Sequence, residues 1–237
     1  MNPFDARIIW FVNGFVQRSW TFDAVMAFVQ KSDLFKGGVV LAVLWWGWFR
    51  RSADKRRDRE ILLATIAGAL ASVAVARALA FALPFRTRPI FVPSLHLQTA
   101  YTMNPAGLLS WSSFPSDHAA LFIGIATGFF FISRRIGAVA LAYSLVVICF
   151  PRVYLGLHYP TDILVGAALG AALTSFACRP AVRERIANPA LRFLERHPGM
   201  FYGIFFLATY QVAVLFNDVR QSGIFAYHLL RAVIGLP

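Results

Sequence analysis

Three ionisable residues of different types stand close together in the segment RVYLGLHYPTD, residues 152–162. His158 and Asp162 are four residues apart, so a helix that begins near Tyr159 brings the carboxylate within reach of the imidazole. A carboxylate that holds one ring nitrogen leaves the other free and makes it a better nucleophile. Arg152 adds a cation to the same segment, so the spacing predicts nucleophilic chemistry beside a bound anion.

A second polar segment, SSFPSDHAALF, occupies residues 112–122. Ser116 and Asp117 are typical of a helix start, where backbone amides can receive an anion. His118 stands at this start and adds a second imidazole. The segment therefore predicts an anion site with a group that can donate or accept a proton.

A third segment, RTRP, contributes Arg86 and Arg88. Several arginines, a helix start and two histidines together indicate a site that binds a phosphate and moves protons around it.

The composition indicates a membrane protein. Of the 237 residues, 58% are hydrophobic and 14% are charged, and the mean hydropathy is +0.61; soluble domains average roughly 25% charged residues. The net charge of +12 lies mostly in short loops between apolar runs, which indicates membrane orientation and not nucleic-acid binding. Cys149 and Cys178 lie inside apolar runs without the spacing of a disulfide framework or a zinc site, so no metal is predicted.

The apolar runs predict an all-α polytopic membrane bundle of about six transmembrane helices. We expect short interfacial helices in residues 1–33, a catalytic membrane domain over 34–178, a basic cytoplasmic segment at 179–199, and an additional transmembrane helix and tail over 200–237. The predicted spans cover about 34–49, 60–83, 117–133, 137–151, 161–177 and 200–216.

Lys and Arg concentrate in the loops on one side of this bundle, at 50–60, at Arg134 and Arg135, and at 179–199. The positive-inside rule makes that side cytoplasmic. All three polar segments then lie at the outer face of a bacterial cytoplasmic membrane, where lipid headgroups carry phosphates.

RTRP, PSDH and RVYLGLHYPTD, in this order, resemble the three signature segments of the type 2 phosphatidic acid phosphatase (PAP2) superfamily of membrane lipid phosphatases. The resemblance covers roughly residues 60–178, and FPSDH looks most like the bacterial branch that acts on undecaprenyl diphosphate. It implies that His158 attacks phosphorus to form a phosphohistidine, that Asp162 orients His158, and that His118 protonates the leaving group and then activates water.

The resemblance also implies phosphate contacts from Arg88, Arg152 and Ser116, with neither metal nor cofactor. Three positions depart from the family pattern. Phe81 stands where a Lys is usual. Arg77 or Arg86 is a candidate replacement, and Arg86 is slightly favoured and is predicted as a further phosphate contact. Pro151 and Asp117 stand where Ser and Gly are common.

We therefore predict hydrolysis of a lipid phosphate or diphosphate, with undecaprenyl diphosphate as the first choice. A phosphatase for phosphatidic acid or phosphatidylglycerol phosphate, and a lipid-to-lipid phosphotransferase that modifies a lipid such as lipid A, are the enzymatic alternatives. A transporter that binds lipid phosphate without chemistry is the alternative from another class.

Overall fold

The computed structural model describes residues 2–104, 109, 111–215 and 217, and the regular structure in these residues is helical. This confirms the predicted all-helical class. The helices are α1 (Pro3–Asn13), α2 (Trp20–Lys31), α3 (Val39–Phe49), α4 (Lys55–Ala82), α5 (Asp117–Phe130), α6 (Arg134–Tyr143), α7 (Phe150–Tyr154), α8 (Pro160–Ala177), α9 (Pro180–Arg196) and α10 (Pro198–Ala213). Two π-helical stretches, Leu34–Gly38 and Ser144–Cys149, lead directly into α3 and α7.

Among the residues that the structure describes, three helical segments are long and apolar enough to cross a membrane: Lys55–Ala82, Arg134–Tyr154 and Pro160–Ala177. Leu34–Phe49 and Asp117–Phe130 are apolar but shorter. The count of six spans is thus not confirmed. The predicted sixth span corresponds to α10, which has 16 residues and a length of about 24 Å, short of the ~30 Å hydrocarbon core; residues 216 and 218–237 lie outside the described residues.

Helices α4, α5 and α8 form the centre of the bundle, and the backbones of α5 and α8 lie close together. A Cβ atom added at Gly166 would lie 2.3 Å from the carbonyl oxygen of Ser116, and one at Gly170 would lie 2.2 Å from that of Ala120. Small residues four apart allow this close backbone approach between apolar helices. The contact brings the N-terminal ends of α5 and α8 together, where the Ser116 amide donates to the Asp162 carbonyl at 3.1 Å.

The two N-terminal helices are anchored to this bundle by buried carboxylates. On α2, Asp23 accepts hydrogen bonds from the amide of Tyr101 at 3.0 Å and the hydroxyl of Tyr154 at 2.5 Å. On α1, Asp5 is buried against the start of α8. Their placement at the membrane interface stays a prediction.

The basic segment predicted at 179–199 forms helix α9, which packs against the start of α4. Arg183 lies 3.5 Å from Glu60, and Arg56 donates to Asn188 at 3.0 Å. These polar contacts hold α9 at the end of α4 opposite the three signature segments.

The close contact between α5 and α8 yields the first prediction. Gly170→Ala should lower stability by about 1–3 kcal/mol, because the new methyl group collides with the Ala120 carbonyl and forces the helices apart. Gly203→Ala is the matched control, since a Cβ there meets nothing within 4 Å. Thermal unfolding in detergent measures both variants; equal midpoints would contradict the proposed contact.

Candidate active site

His158 is fixed by hydrogen-bond partners on both ring nitrogens. Its Nδ1 lies 2.8 Å from the carbonyl oxygen of Ser113, and its Nε2 lies 3.4 Å from Nη1 of Arg88. A carbonyl only accepts and a guanidinium only donates, so the proton belongs on Nδ1 and the lone pair on Nε2. The ring is 4% exposed, and its basic nitrogen faces Arg88.

Asp162 lies beside the same ring but is not its nearest acceptor. One carboxylate oxygen, Oδ2, is 3.5 Å from Nδ1 of His158 and accepts the Tyr159 amide at 2.8 Å. The latter bond caps the first turn of α8 and fixes the carboxylate. The structure thus brings the predicted pair together, and Ser113 shares the Nδ1 proton.

Burial lowers the pKa of His158 below its ordinary value. A hydrogen bond and the negative charge of Asp162 oppose this shift, as does the charge of Asp117, whereas Arg88 adds to it. The imidazole is therefore neutral at neutral pH, with Nε2 unprotonated, which is the form a nucleophile requires.

Arg88 is placed by the loop that follows α4. The Ile90 amide donates to the carbonyl of Gly156, which has a φ of +66°, and Arg88 Nη1 donates to the Leu157 carbonyl at 2.8 Å. Glycine accommodates this left-handed turn without steric cost. The loop and turn hold the guanidinium next to His158.

Arg152 is almost completely enclosed, with 1% exposure, and Nη1 donates to the carbonyl of Ile148 at 2.5 Å. Within the described part of the chain, Arg152 Nη2 and Arg88 Nε are buried without a hydrogen-bond partner. Buried charged donors are costly unless paired. An anion with several oxygens satisfies both donors, so these arginines fit a phosphate.

The second histidine, His118, is the second residue of α5. Its Nδ1 lies 2.9 Å from Oδ1 of Asp117, and the same carboxylate forms an ion pair with Arg77 on α4. Asp117 was predicted only as a helix-start residue; the structure adds contact with the imidazole. The carboxylate holds the ring by Nδ1, so Nε2 is the nitrogen left for proton transfer.

The start of α5 is capped by its own side chains. Ser116 is the N-cap residue, and its hydroxyl accepts the Ala119 amide at 3.4 Å, while Asp117 accepts the His118 amide at 2.8 Å. Two of the amides expected to receive an anion are thus already bonded. The contact of Ser116 with phosphate stays a prediction.

Arg86 is surrounded by carboxylates. Its guanidinium donates to Asp162 at 2.5 Å, to Thr161 at 2.9 Å and to Asp5 at 2.7 Å. The phosphate contact predicted for Arg86 stays a prediction, and these bonds place its guanidinium between Asp5 and Asp162.

Two residues near the site were not singled out by sequence. Ser113 contributes a backbone carbonyl, which has no sequence signal beyond its nearness to PSDH. Lys36, paired with Asp33 at 2.8 Å, lies close enough for its charge to act on His118 and Arg152. Phe81, at the position of the usual family Lys, is 82% exposed.

The sequence of this chain matches a known protein family. Residues 61–185 match the PAP2 superfamily. Undecaprenyl-diphosphatase BcrC of Bacillus subtilis is 24% identical over 153 residues, which is 65% of this chain and 72% of that protein. The bacitracin transport permease protein BcrC of Bacillus licheniformis is 32% identical over 85 residues, which is 36% of this chain and 41% of that protein.

Among solved structures, Aquifex aeolicus LpxE aligns with a TM-score of 0.49 and 21% identity. The alignment covers 72% of this chain and 92% of that one.

The unpartnered donors predict that orthovanadate, a phosphate analogue, binds and raises the thermal unfolding midpoint. Arg152→Gln should weaken this binding by about 10–100-fold, since a charge-assisted hydrogen bond contributes about 1.5–3 kcal/mol. Arg192→Gln, an exposed position on α9, is the control. Unchanged vanadate affinity in a folded Arg152→Gln protein would contradict the anion site.

The contacts of His158 predict its tautomer and its charge. NMR of isotope-labelled histidine, with His158→Gln for assignment, should show a proton on Nδ1 and a pKa below the ordinary value of about 6.5, because burial disfavours the charged ring. The ring then becomes protonated only as pH falls through the lowered pKa. A proton on Nε2, or titration at or above the ordinary value, would contradict the assignment.

Proposed function

This chain belongs to the PAP2 superfamily and is a phosphatase, and we propose that it hydrolyses undecaprenyl diphosphate to undecaprenyl phosphate and phosphate. One observation carries the proposal: Nε2 of a neutral His158 faces Arg88 beside buried arginine donors that fit a phosphate. The choice of lipid is supported by the relative from Bacillus subtilis, whose name is undecaprenyl-diphosphatase.

In the first step, Nε2 of His158 attacks the terminal phosphorus. The N–P bond forms while the bond from phosphorus to the bridging oxygen breaks, and its electron pair leaves with undecaprenyl phosphate. The ring retains its Nδ1 proton and becomes cationic, which the Ser113 carbonyl and the Asp162 carboxylate stabilise. Arg88 and Arg152 hold the equatorial oxygens during transfer.

In the second step, water replaces His158 on phosphorus. His118, after donating a proton to the leaving oxygen, removes a proton from this water, so that each turnover returns both histidines to their starting states. Asp117 holds the His118 ring by Nδ1, which leaves Nε2 to carry the transferred proton. Ser116 is proposed as a further phosphate contact.

We propose a six-span protein of the bacterial cytoplasmic membrane with this site at the outer face. The helix directions support a common face: α4 ends before Arg88, whereas α5 and α8 begin at the two histidines. The basic 50–60 loop and α9 lie at the opposite end, which is the cytoplasmic side by the positive-inside rule.

Two other enzymatic functions use the same phosphohistidine. A phosphatidic acid or phosphatidylglycerol phosphate phosphatase differs only in the lipid, and a phosphotransferase to another lipid differs in the acceptor. A lipid-phosphate transporter is the non-enzymatic alternative, and the relative from Bacillus licheniformis is named a transport permease.

Phosphate release by the purified protein in detergent separates these functions. In buffer with EDTA, wild type should release phosphate fastest from undecaprenyl diphosphate, compared with phosphatidic acid and phosphatidylglycerol phosphate, and His158→Ala should lose several orders of magnitude because the nucleophile is gone.

His197→Ala is the control for loss of a histidine. A collapse in EDTA that magnesium restores would contradict a metal-free reaction. A phosphorylated lipid instead of free phosphate would indicate a transferase, and lipid transport that persists in His158→Ala would indicate a transporter.

A further inference from the structure

The N-terminal helix α1 places a fully buried carboxylate next to the start of α8. Asp5 is 0% exposed, and its Oδ1 accepts the amide of Thr161 at 2.9 Å. Its Oδ2 accepts the Thr161 hydroxyl and Arg86 Nη2, both at 2.7 Å. Asn2 fixes the first turn of α1 by accepting the Asp5 amide at 2.7 Å. Asp5 is therefore held rigidly against Arg86.

Arg86 connects this carboxylate to Asp162. Nη1 of Arg86 donates to Asp162 Oδ1 at 2.5 Å. The guanidinium stacks on Tyr159, with Cζ of Arg86 3.9 Å from the centre of the ring. The other oxygen of Asp162 faces Nδ1 of His158. A continuous chain of charged contacts thus runs from α1 to the ring of the nucleophile.

Both terminal nitrogens of Arg86 already contact buried carboxylates. Turning either nitrogen toward a phosphate would remove the cationic partner of a buried carboxylate, which is strongly unfavourable. Arg88 and Arg152, in contrast, retain buried donors without a partner in the described residues. The geometry therefore favours Arg88 and Arg152 as phosphate ligands and Arg86 as a support for Asp162.

The charges explain why a second carboxylate is needed. Arg86 paired with Asp162 alone would offset the negative charge that stabilises a cationic His158 ring. Asp5 offsets Arg86, so the group of two carboxylates and one guanidinium keeps a net negative charge beside the ring.

We propose that Asp5 and Arg86 are positioning residues that orient Asp162 and preserve its charge for His158, which makes α1 a functional part of the site. The inference rests on the proposed function, in which His158 becomes cationic as it takes up phosphorus. It assigns to Arg86 a role different from phosphate binding.

Kinetics of Asp5→Asn, Arg86→Gln and the double variant test the proposal. Asp5→Asn should lower kcat by about 10–100-fold, the range known for loss of the partners that orient metal-bound histidines, with KM changed less than about threefold. The effects of the two substitutions should not add, because both act through Asp162.

The pKa of His158 provides a readout that a merely structural role would not move. Removing the negative charge of Asp5 should lower it, whereas removing the positive charge of Arg86 should raise it, with Arg88, Asp117 and Asp162 still facing the ring. Histidine NMR measures both shifts without substrate, so the coupling stays testable even if no lipid is hydrolysed.

Asp23→Asn is the matched control, since Asp23 is an equally buried carboxylate that anchors α2 away from Asp162. It should lower the unfolding midpoint with kcat within about threefold of wild type. Arg86→Lys keeps the charge and should recover part of the kcat lost in Arg86→Gln if positioning is the role.

Three results would overturn the proposal: wild-type kcat in Asp5→Asn, shifts of the His158 pKa in the same direction for both variants, or weaker vanadate binding in Arg86→Gln with unchanged kcat. The last result would restore Arg86 as a phosphate ligand. Absence of phosphate release by the wild type would contradict the proposed function instead. The NMR test of the coupling to His158 would still apply in that case.

Discussion

The site depends on the close contact between α5 and α8. At Gly166 and Gly170 of α8, the backbone of the α5 segment lies so near that no side chain would fit. Because the backbones touch there, the Ser116 amide reaches the Asp162 carbonyl, and both helices present their N-terminal ends at one end of the bundle. Each of these ends carries a histidine. A larger separation would move His118 and His158 apart and remove the Ser113 carbonyl from the His158 ring.

The charged groups at this end have a regular arrangement around the two histidines. Nδ1 of each histidine faces a carboxylate, Asp117 or Asp162, and each carboxylate pairs with an arginine, Arg77 or Arg86.

Arg88 and Arg152 are the other two arginines of this cluster, and in the described residues neither has a carboxylate partner. Buried charges need partners. In the proposed function, this division separates two arginines that pair with carboxylates from two arginines that are available to a phosphate.

Local sequence patterns were sufficient to find the three signature segments and to predict the central parts of several helices. The spacing of His158 and Asp162 required a helix start near Tyr159, and α8 begins at Pro160. The apolar runs predicted at 60–83 and 117–133 correspond to α4 and α5. Asp5 could not be assigned, because its partner Arg86 is 81 residues away and only packing of α1 brings them together. Ser113 acts through its backbone carbonyl, which its residue type does not predict. Lys36 lies in the π-helical stretch Leu34–Gly38, which the apolar pattern does not reveal.

The central claim is that His158 carries the phosphoryl group, and a direct test is to isolate that adduct. With undecaprenyl diphosphate radiolabelled in its terminal phosphate, rapid quenching into base should leave label on the peptide that contains His158. His118→Gln should accumulate more label, because hydrolysis of the adduct then lacks its base, and His158→Ala should carry none. Release of phosphate by His158→Ala at the wild-type rate, with no label on protein in any variant, would contradict the account.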